Sequence, residues 1–398
     1  MKQVFFALMC VGFLTSCDSI KALKLLKKGD VQKGSFINKM PFERAKNLMI
    51  VKVYIKEKPY NFIFDTGAAL TVLSEQLAKD LGLKPQSKMS VGDSQGKENK
   101  VNLYAIEALN IGNIIFTNEI CLASDFTKMA TMGENIDGIL GATLMRKAFW
   151  YVDNEHQTIT IADNRNALPT LENSLKLPFK CGKFAFTPQI TIFLEDIAYP
   201  VGFDSGSNNG ISLNKEFVKD AQKKADMMNA PYSVGNARIG LYGRGNLDTT
   251  YYLKTQKTQF GDAYINNEQI TKVRRNTSSL LGMKILKNYN FILDWQTKEI
   301  LLSPIKEVPK DVLNPWGFDY VFENNSMKIT EILNNSNAAK KGLMLGDIVL
   351  KINEKSYQNL SKKEQYNIFL GDLILTESTE AHLVVQRNKE EIKIDLKK

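Results

Sequence analysis

The chain has 398 residues, is 43% hydrophobic and carries 25 Gly and 11 Pro, a composition that excludes collagen-like, coiled-coil and disordered chains. At about 100–200 residues per domain it has room for two or three domains, each with its own core. The formal net charge is +9, with the lysines scattered rather than gathered in one arm, so the balance suits an anionic lipid surface or a solvated exterior better than nucleic acid.

Two histidines, His156 and His382, and four cysteines, Cys10, Cys17, Cys121 and Cys181, leave no zinc site. They also leave no His-based triad unless one of those two histidines carries it. Chemistry falls to carboxylates, hydroxyls and water, and neither metal nor cofactor is expected. Cys121 and Cys181 are expected as free thiols.

In chain order, Lys2 and the apolar run Val4–Leu14 come first, followed by Thr15, Ser16 and Cys17. The run is too short to span a bilayer, which needs about 20 residues. It reads as a secretory signal, residues 1–16. Leu14-Thr15-Ser16-Cys17 resembles a bacterial lipobox, which implies acylation of Cys17 and a lipid-anchored protein of the cell envelope, facing periplasm or exterior. Residues 17–44 would form an anchor and tether. Within them Ile20–Lys28 is basic and amphipathic, suited to an anionic leaflet or to a solvated helix.

A repeat organises the middle of the chain. Tyr60-Asn61-Phe62-Ile63-Phe64-Asp65-Thr66-Gly67-Ala68 has its counterpart in Tyr199-Pro200-Val201-Gly202-Phe203-Asp204-Ser205-Gly206-Ser207. An alternating strand precedes each, Met49–Ile55 and Gln189–Leu194, and a helical pattern follows each, Ser74–Leu81 and Asn214–Ala225. Ile139-Leu140-Gly141 then matches Leu280-Leu281-Gly282. Asp65 to Gly141 spans 76 residues and Asp204 to Gly282 spans 78, and an Asp follows each Gly by 12 positions. One Asp-hydroxyl-Gly triplet is weak; two in matching frames are a strong signal.

Phe64-Asp65-Thr66-Gly67-Ala68 and Ile136-Asp137-Gly138-Ile139-Leu140-Gly141 resemble the signature elements of the aspartic peptidases, in a bilobal retropepsin-like or pepsin-like arrangement over roughly residues 45–305. Lobe 2 departs in reading Asp204-Ser205-Gly206 and Ser279-Leu280-Leu281-Gly282. The resemblance implies a mainly β fold of two lobes, residues 45–170 and 171–308. It makes Asp65 and Asp204 the catalytic pair, with Thr66, Gly67, Ser205 and Gly206 supporting them. The residue types suit that chemistry independently. Two carboxylates held together share one proton and so supply base and acid for water attack on a peptide bond. Gly permits close approach of two loops, and the hydroxyls can lock them. Asp137, Asp153 and Asp294 are expected to stabilise turns. Val91–Lys97 reads as the tip of a flap and Val101–Ile106 as its returning strand, with Tyr104 nearby; Gly240–Gly245 reads as a second flap.

After a linker at Pro304–Pro309, Asn337-Ala338-Ala339-Lys340-Lys341-Gly342-Leu343-Met344-Leu345-Gly346-Asp347-Ile348 resembles the bacterial PDZ pattern. That implies a small α+β domain, residues 309–398, with Trp316, Gly317 and Phe318 at the carboxylate-binding loop and Asn359–Leu370 as the flanking helix. His382–Gln386 would be a closing strand. The whole reads as a monomeric, membrane-anchored aspartic endopeptidase acting on polypeptides, whose PDZ domain recruits or senses peptide C-termini. A non-catalytic peptide-binding envelope lipoprotein on the same fold is the alternative.

Overall fold

The computed structural model describes residues 22, 24–127, 136–183, 185–236, 239–372 and 378–398. The expected signal segment, residues 1–16, and Cys17 lie outside the described residues. The described chain is mainly β. No helix among the described residues is long and apolar enough to cross a membrane.

Lobe 1 grows from the hairpin Leu48–Ile55 and Lys58–Phe64. Its loop is only Lys56-Glu57, flanked by the pair Ile55↔Lys58, and both loop residues have positive φ (49° and 64°). Such turns match the right-handed twist of the strands, which is why a two-residue loop tolerates side chains that prefer other conformations. Lobe 2 repeats the device at Glu195-Asp196, flanked by Leu194↔Ile197.

Period-2 alternation gives the lobe-1 sheet two apolar faces. Met49, Val51, Phe62, Phe64, Leu73, Cys121 and Leu140 point to the main core. Their sequence neighbours Leu48, Ile50, Ile63, Val72, Leu122 and Ile139 point the other way, into a second cluster. The Gly138–Leu140 strand lies parallel to Phe62–Phe64 and antiparallel to Val72–Leu73; Leu280–Gly282 has the same relation to Gly202–Asp204 and to Ile211–Ser212. The sequence repeat is thus a structural repeat.

The two post-Asp helices differ. Glu75–Asp80 starts on Ser74, whose Oγ accepts the Leu77 N–H at 3.1 Å. The expected helix Asn214–Ala225 is split. Asn214 caps only the 3-10 turn Lys215–Phe217, the chain leaves helical geometry at Val218, and Asp220 caps a new helix, Ala221–Asn229. Two cap residues six apart each open their own helix.

The second halves of the repeats meet in a shared six-stranded sheet, where Trp150↔Leu293, Tyr151↔Ile292 and Val152↔Phe291 pair across the lobes. Ile37–Pro41 forms its edge beside Thr158–Ala162, and Asp30–Val31 joins lobe 1 beside Phe116–Thr117. Part of the segment read as a tether is therefore built into the lobes. Of the stretch Ile20–Lys28, expected on a leaflet or in solvent, Ala22, Leu25 and Leu26 are buried in the protein instead, while Ile20, Lys21 and Leu23 lie outside the described residues.

Residues 316–396 pack a separate core around Met327, Val349, Ile352, Tyr357 and Val385. Its strands are Phe318–Glu323, Ser326–Leu333, Ile348–Ile352, Lys355–Ser356, Glu380–Arg387 and Glu390–Lys397. The flanking helix is shorter than expected: Lys362–Asn367, opened by a Ser361/Glu364 capping box and continued as one wide turn, Ile368–Asp372. This unit is joined to lobe 2 by backbone pairing, Ser233↔Leu333, Val234↔Ile332 and Gly235↔Glu331. Glu331, buried at that seam, accepts hydrogen bonds from Ser233 Oγ and from the Tyr252 hydroxyl, the latter at 3.0 Å. Burial and the Glu331 charge push the Tyr252 pKa far above its ordinary value.

Trp150, a residue of the inter-lobe sheet, is fully buried, 5.3 Å from the Phe64 ring, and donates Nε1–H to the Met145 carbonyl at 2.7 Å. Trp150→Ala is expected to cost about 3–5 kcal/mol in denaturant unfolding. Both lobes should lose stability together, because the sheet that contains this residue belongs to both.

Candidate active site

Asp65 follows one strand directly and Asp204 ends another, and the Phe before each is buried at the lobe junction. Phe64 lies against Trp150, and Phe203 meets Phe291 edge-on at 5.3 Å. The two loops then cross. Thr66 N–H donates to Ser205 Oγ (3.0 Å) and Ser205 N–H donates to Thr66 Oγ1 (3.0 Å). Thr66 Oγ1–H goes on to the Phe203 carbonyl (2.6 Å) and Ser205 Oγ–H to the Phe64 carbonyl (2.8 Å). Each hydroxyl accepts from one lobe's backbone and donates to it again at a second point, and both hydroxyl residues are fully buried.

The glycines face the opposite carboxylates. A Cβ on Gly67 would lie 2.6 Å from Asp204 Cγ, and a Cβ on Gly206 would overlap Asp65 Cγ. Only a residue without a side chain lets the two Asp approach. Asp65 Oδ1 accepts from the N–H groups of Gly67 (2.8 Å) and Ala68 (3.0 Å); Asp204 Oδ1 accepts from Gly206 N–H (2.9 Å). Desolvation raises the Asp65 pKa against these bonds. Burial, then the charge of Asp65, push Asp204 well above the ordinary carboxylate range. Both shifts run upward, so the pair is disposed to share one proton.

Gly141 and Gly282 close the loops from the side. Beyond them Ala142 and Thr143 donate to the carbonyls of Ala68 and Ala69, and Met283 and Lys284 to those of Ser207 and Asn209. The turn carboxylates lie away from the pair. Asp137 Oδ2 accepts the Asn61 N–H (2.8 Å), Asp153 Oδ1 the His156 N–H (2.9 Å), and Asp294 Oδ1 those of Gln296 and Thr297 (2.8 and 3.0 Å).

Two hairpin tips meet, one from each lobe. The lobe-1 flap, Ser87–Gly92 and Glu98–Ile111, carries the tip 93–97; the lobe-2 flap, Tyr232–Gly235 and Asp248–Thr255, carries the small hairpin Ile239–Gly240/Gly243–Arg244. Asp93 is the joint. Its Oδ1 accepts from Gln95 and Lys97 N–H within its own tip (2.9 and 3.0 Å), and its Oδ2 from Tyr242 N–H in the other (3.1 Å). Lys97 Nζ reaches the Arg244 carbonyl, Ser124 Oγ the Leu241 carbonyl, and Thr277 Oγ1 the Ser94 carbonyl. Asp93 was legible only as a turn residue, because its second partner is 149 positions away. Beside this joint a cavity of about 600 Å³ opens between helix Glu75–Asp80, the returning flap strand at Tyr104 and the tip residues Leu241 and Tyr242.

Trp316, Gly317 and Phe318 lie far along the chain from this pair, at the start of the C-terminal unit. Trp316 and Phe318 are buried in its core, and Gly317 takes φ 72° beneath Ser336. Trp316 N–H donates to Asn314 Oδ1 (3.1 Å) and Gly317 N–H to the Asn314 carbonyl (3.0 Å). Cys121 is buried and Cys181 half-buried, both free. Among the described residues no group of three or more His, Cys, Asp and Glu side chains could hold a metal ion.

Residues 51–144 match the protein-family model described as Aspartyl protease, a stretch that runs from the first strand through Asp65 to just past Gly141. The match supports a retropepsin-like aspartyl protease domain in lobe 1 and a peptidase hydrolase as its class. No curated protein matches the chain.

Two outcomes follow from this geometry. Thr66→Val strands the Ser205 N–H without an acceptor and the Phe203 carbonyl without a donor, so it should cost at least about 1–3 kcal/mol in chemical denaturation, whereas Thr66→Ser should recover most of the loss. Asp204→Asn should raise the thermal midpoint relative to wild type at about pH 8 and leave it unchanged near pH 3. The sign comes from the raised folded-state pKa: the protonated form's advantage is complete below the unfolded value and is lost as pH rises through the folded one, and Asn never pays for that ionisation.

Proposed function

We propose that the protein is an aspartic endopeptidase in which Asp65 and Asp204 activate one water between them. The crossed Thr66/Ser205 hydroxyl bonds carry this reading, because they hold two carboxyl groups together where a purely structural turn has no use for them. Asp65, the ionised member, takes a proton from water as the oxygen attacks the peptide carbonyl carbon. Asp204 gives its proton to the carbonyl oxygen. The resulting tetrahedral diol collapses when Asp204 takes back a hydroxyl proton and Asp65 gives the nitrogen the proton it took from water, so that the C–N bond breaks and the pair returns to its starting state. No acyl-enzyme forms. The flap tips joined at Asp93 would part to admit an extended polypeptide and close over it.

Lipidation at Cys17, anchoring in a bacterial envelope membrane and recruitment of polypeptides by a PDZ-type C-terminal unit complete the proposal. An unpaired outer edge on Phe318–Glu323, among the described residues, supports peptide capture by strand addition. Capture of a free carboxylate at residues 316–318 would compete with Asn314 for the Trp316 and Gly317 N–H groups. Occupancy there would reach the cleft directly, since the strand next to that edge is hydrogen-bonded to the lobe-2 flap.

The test is hydrolysis of unfolded casein by the full chain from about pH 4 to 7.5, beside Asp65→Asn and Asp204→Asn. Activity should be bell-shaped in pH, falling on the alkaline side as the shared proton is lost, and either substitution should reduce it by at least about 10³-fold. Folded wild type that cleaves nothing at any pH would instead favour a non-catalytic peptide-binding protein. A peptide with a free apolar C-terminus should alter kcat/KM for casein at least twofold, and its amidated form should not; equal behaviour of the two would remove the C-terminal unit from the account.

A further inference from the structure

The two Asp loops differ in length. Ile139 and Leu280 hold equivalent places beside the strands that lead into Asp65 and Asp204, paired with Ile63 and Gly202. On its other side Ile139 pairs with Val72, seven residues after Asp65, whereas Leu280 pairs with Ser212, eight residues after Asp204. Backbone bonds to the loops locate the extra residue. Ala142 and Met283 N–H reach the third residue after each Asp, Ala68 and Ser207. Thr143 N–H then reaches the next carbonyl, Ala69, but Lys284 N–H skips one and reaches Asn209. Asn208 is therefore an insertion in the second loop, without a counterpart in the first.

Lobe 1 holds this inserted residue. Asn47 N–H donates to Asn208 Oδ1 (3.0 Å) and Asn47 Nδ2–H to the Asn208 carbonyl (3.0 Å). Ser207 and Asn209, on either side, are bonded within lobe 2, the latter also through Lys272 Nζ (3.1 Å). Asn47 sits in the two-residue turn between Glu43–Ala45 and Leu48–Ile55, and the second of these strands pairs with the one that leads into Asp65, as in Ile50↔Ile63. The turn is held on three sides. Lys287 Nζ donates to Asn47 Oδ1 (2.8 Å), Arg44 Nη1–H to the Asn47 carbonyl (3.2 Å), and Lys46 Nζ lies 4.1 Å from the centre of the Phe369 ring in the C-terminal unit. A second tie between lobes thus runs from the strand beside Asp65 to the fourth residue after Asp204, outside the Thr66/Ser205 crossing.

The insertion coincides with a difference between the carboxyl groups. Asp65 Oδ1 accepts two backbone N–H groups of its own loop, those of Gly67 and Ala68. Asp204 Oδ1 accepts that of Gly206, while Ser207 N–H, the counterpart of Ala68 N–H, donates to the Asp204 carbonyl at 3.3 Å and exerts only a minor pull on the carboxylate. Each N–H aimed at a carboxylate favours its charged form. We propose that Asn47 is a positioning residue for the pair: by holding the inserted Asn208 it keeps Ser207 N–H on the Asp204 carbonyl, short of a full bond to the carboxylate, and so settles the shared proton on Asp204 and the charge on Asp65. Released from Asn47, the longer loop can take the form of the shorter one, with a second N–H on the carboxylate. The consequence for catalysis rests on the peptidase reading; the positioning does not.

The experiment is a carbon-13 NMR titration of the Asp carboxyls in the full chain and in its Asn47→Ala variant, beside casein hydrolysis by both. In the parent, Asp204 should carry more than about twice the chemical-shift change of Asp65 in the upper of the pair's two steps, and in Asn47→Ala the two should share it about equally. The kcat for casein should fall at least about tenfold in the variant, with KM within about twofold of the parent. Lys46→Ala, in the same turn but with no bond to Asn208, should match the parent in both readouts. Should Asn47→Ala fail to fold by circular dichroism, Asn208→Ala, which removes one of the two bonds, carries the same comparison. An upper step divided alike in parent and Asn47→Ala, no coupled steps in the parent, or a Lys46→Ala that moves as far as Asn47→Ala overturns the proposal. A division that shifts in Asn47→Ala alone while no form cuts casein keeps the positioning and rejects the peptidase reading alone.

Discussion

Two carboxylates repel when both are ionised, and burial makes the repulsion worse. Holding Asp65 against Asp204 is the constraint around which the fold is arranged. The Thr66/Ser205 crossing supplies the hold by tying each loop to the other's backbone at two points. It works only if both loops arrive at the same height and angle. The parallel pairing of Leu140 with Phe64 and of Gly282 with Asp204 sets that for each lobe separately. The shared sheet through Trp150 and Leu293 sets it between lobes.

Removing one negative charge by protonation relieves the repulsion, so the arrangement selects the singly protonated pair. That is the state able to accept and donate a proton in one step. The geometry that disfavours two charges is thus also the one that leaves a proton acceptor beside a proton donor, as the proposed chemistry requires. The flaps add a second constraint. Asp93 shapes its own tip with one oxygen and holds the opposite tip with the other, so parting the tips means breaking that bond together with those of Lys97, Ser124 and Thr277.

Much of this was legible in the residues. The repeated Asp-hydroxyl-Gly triplets and the matched apolar-apolar-Gly elements announce two equivalent halves, since each feature needs the other to be useful. The strand Gln189–Leu194 falls where alternation puts it. What alternation cannot show is which of two apolar faces meets which partner. Leu25 and Leu26 look like a membrane-facing stripe in sequence and are a protein-facing one in the fold. The turns at Lys56-Glu57 and Glu195-Asp196 carry no Gly or Asn, so their left-handed residues are imposed by strand twist alone. Asp93 and Glu331 act across long separations, and the splitting of Asn214–Ala225 depends on one residue, Val218, leaving helical geometry.

The account stands or falls on one shared proton. Carbon-13 NMR titration of the Asp side-chain carboxyls in the full chain, assigned with Asp65→Asn and Asp204→Asn, reads it directly. The account predicts two coupled steps for the pair, the upper one well above the ordinary carboxylate range, with the remaining Asp in either variant losing that raised step. Two independent titrations at ordinary values, unchanged when the partner is replaced, would contradict it.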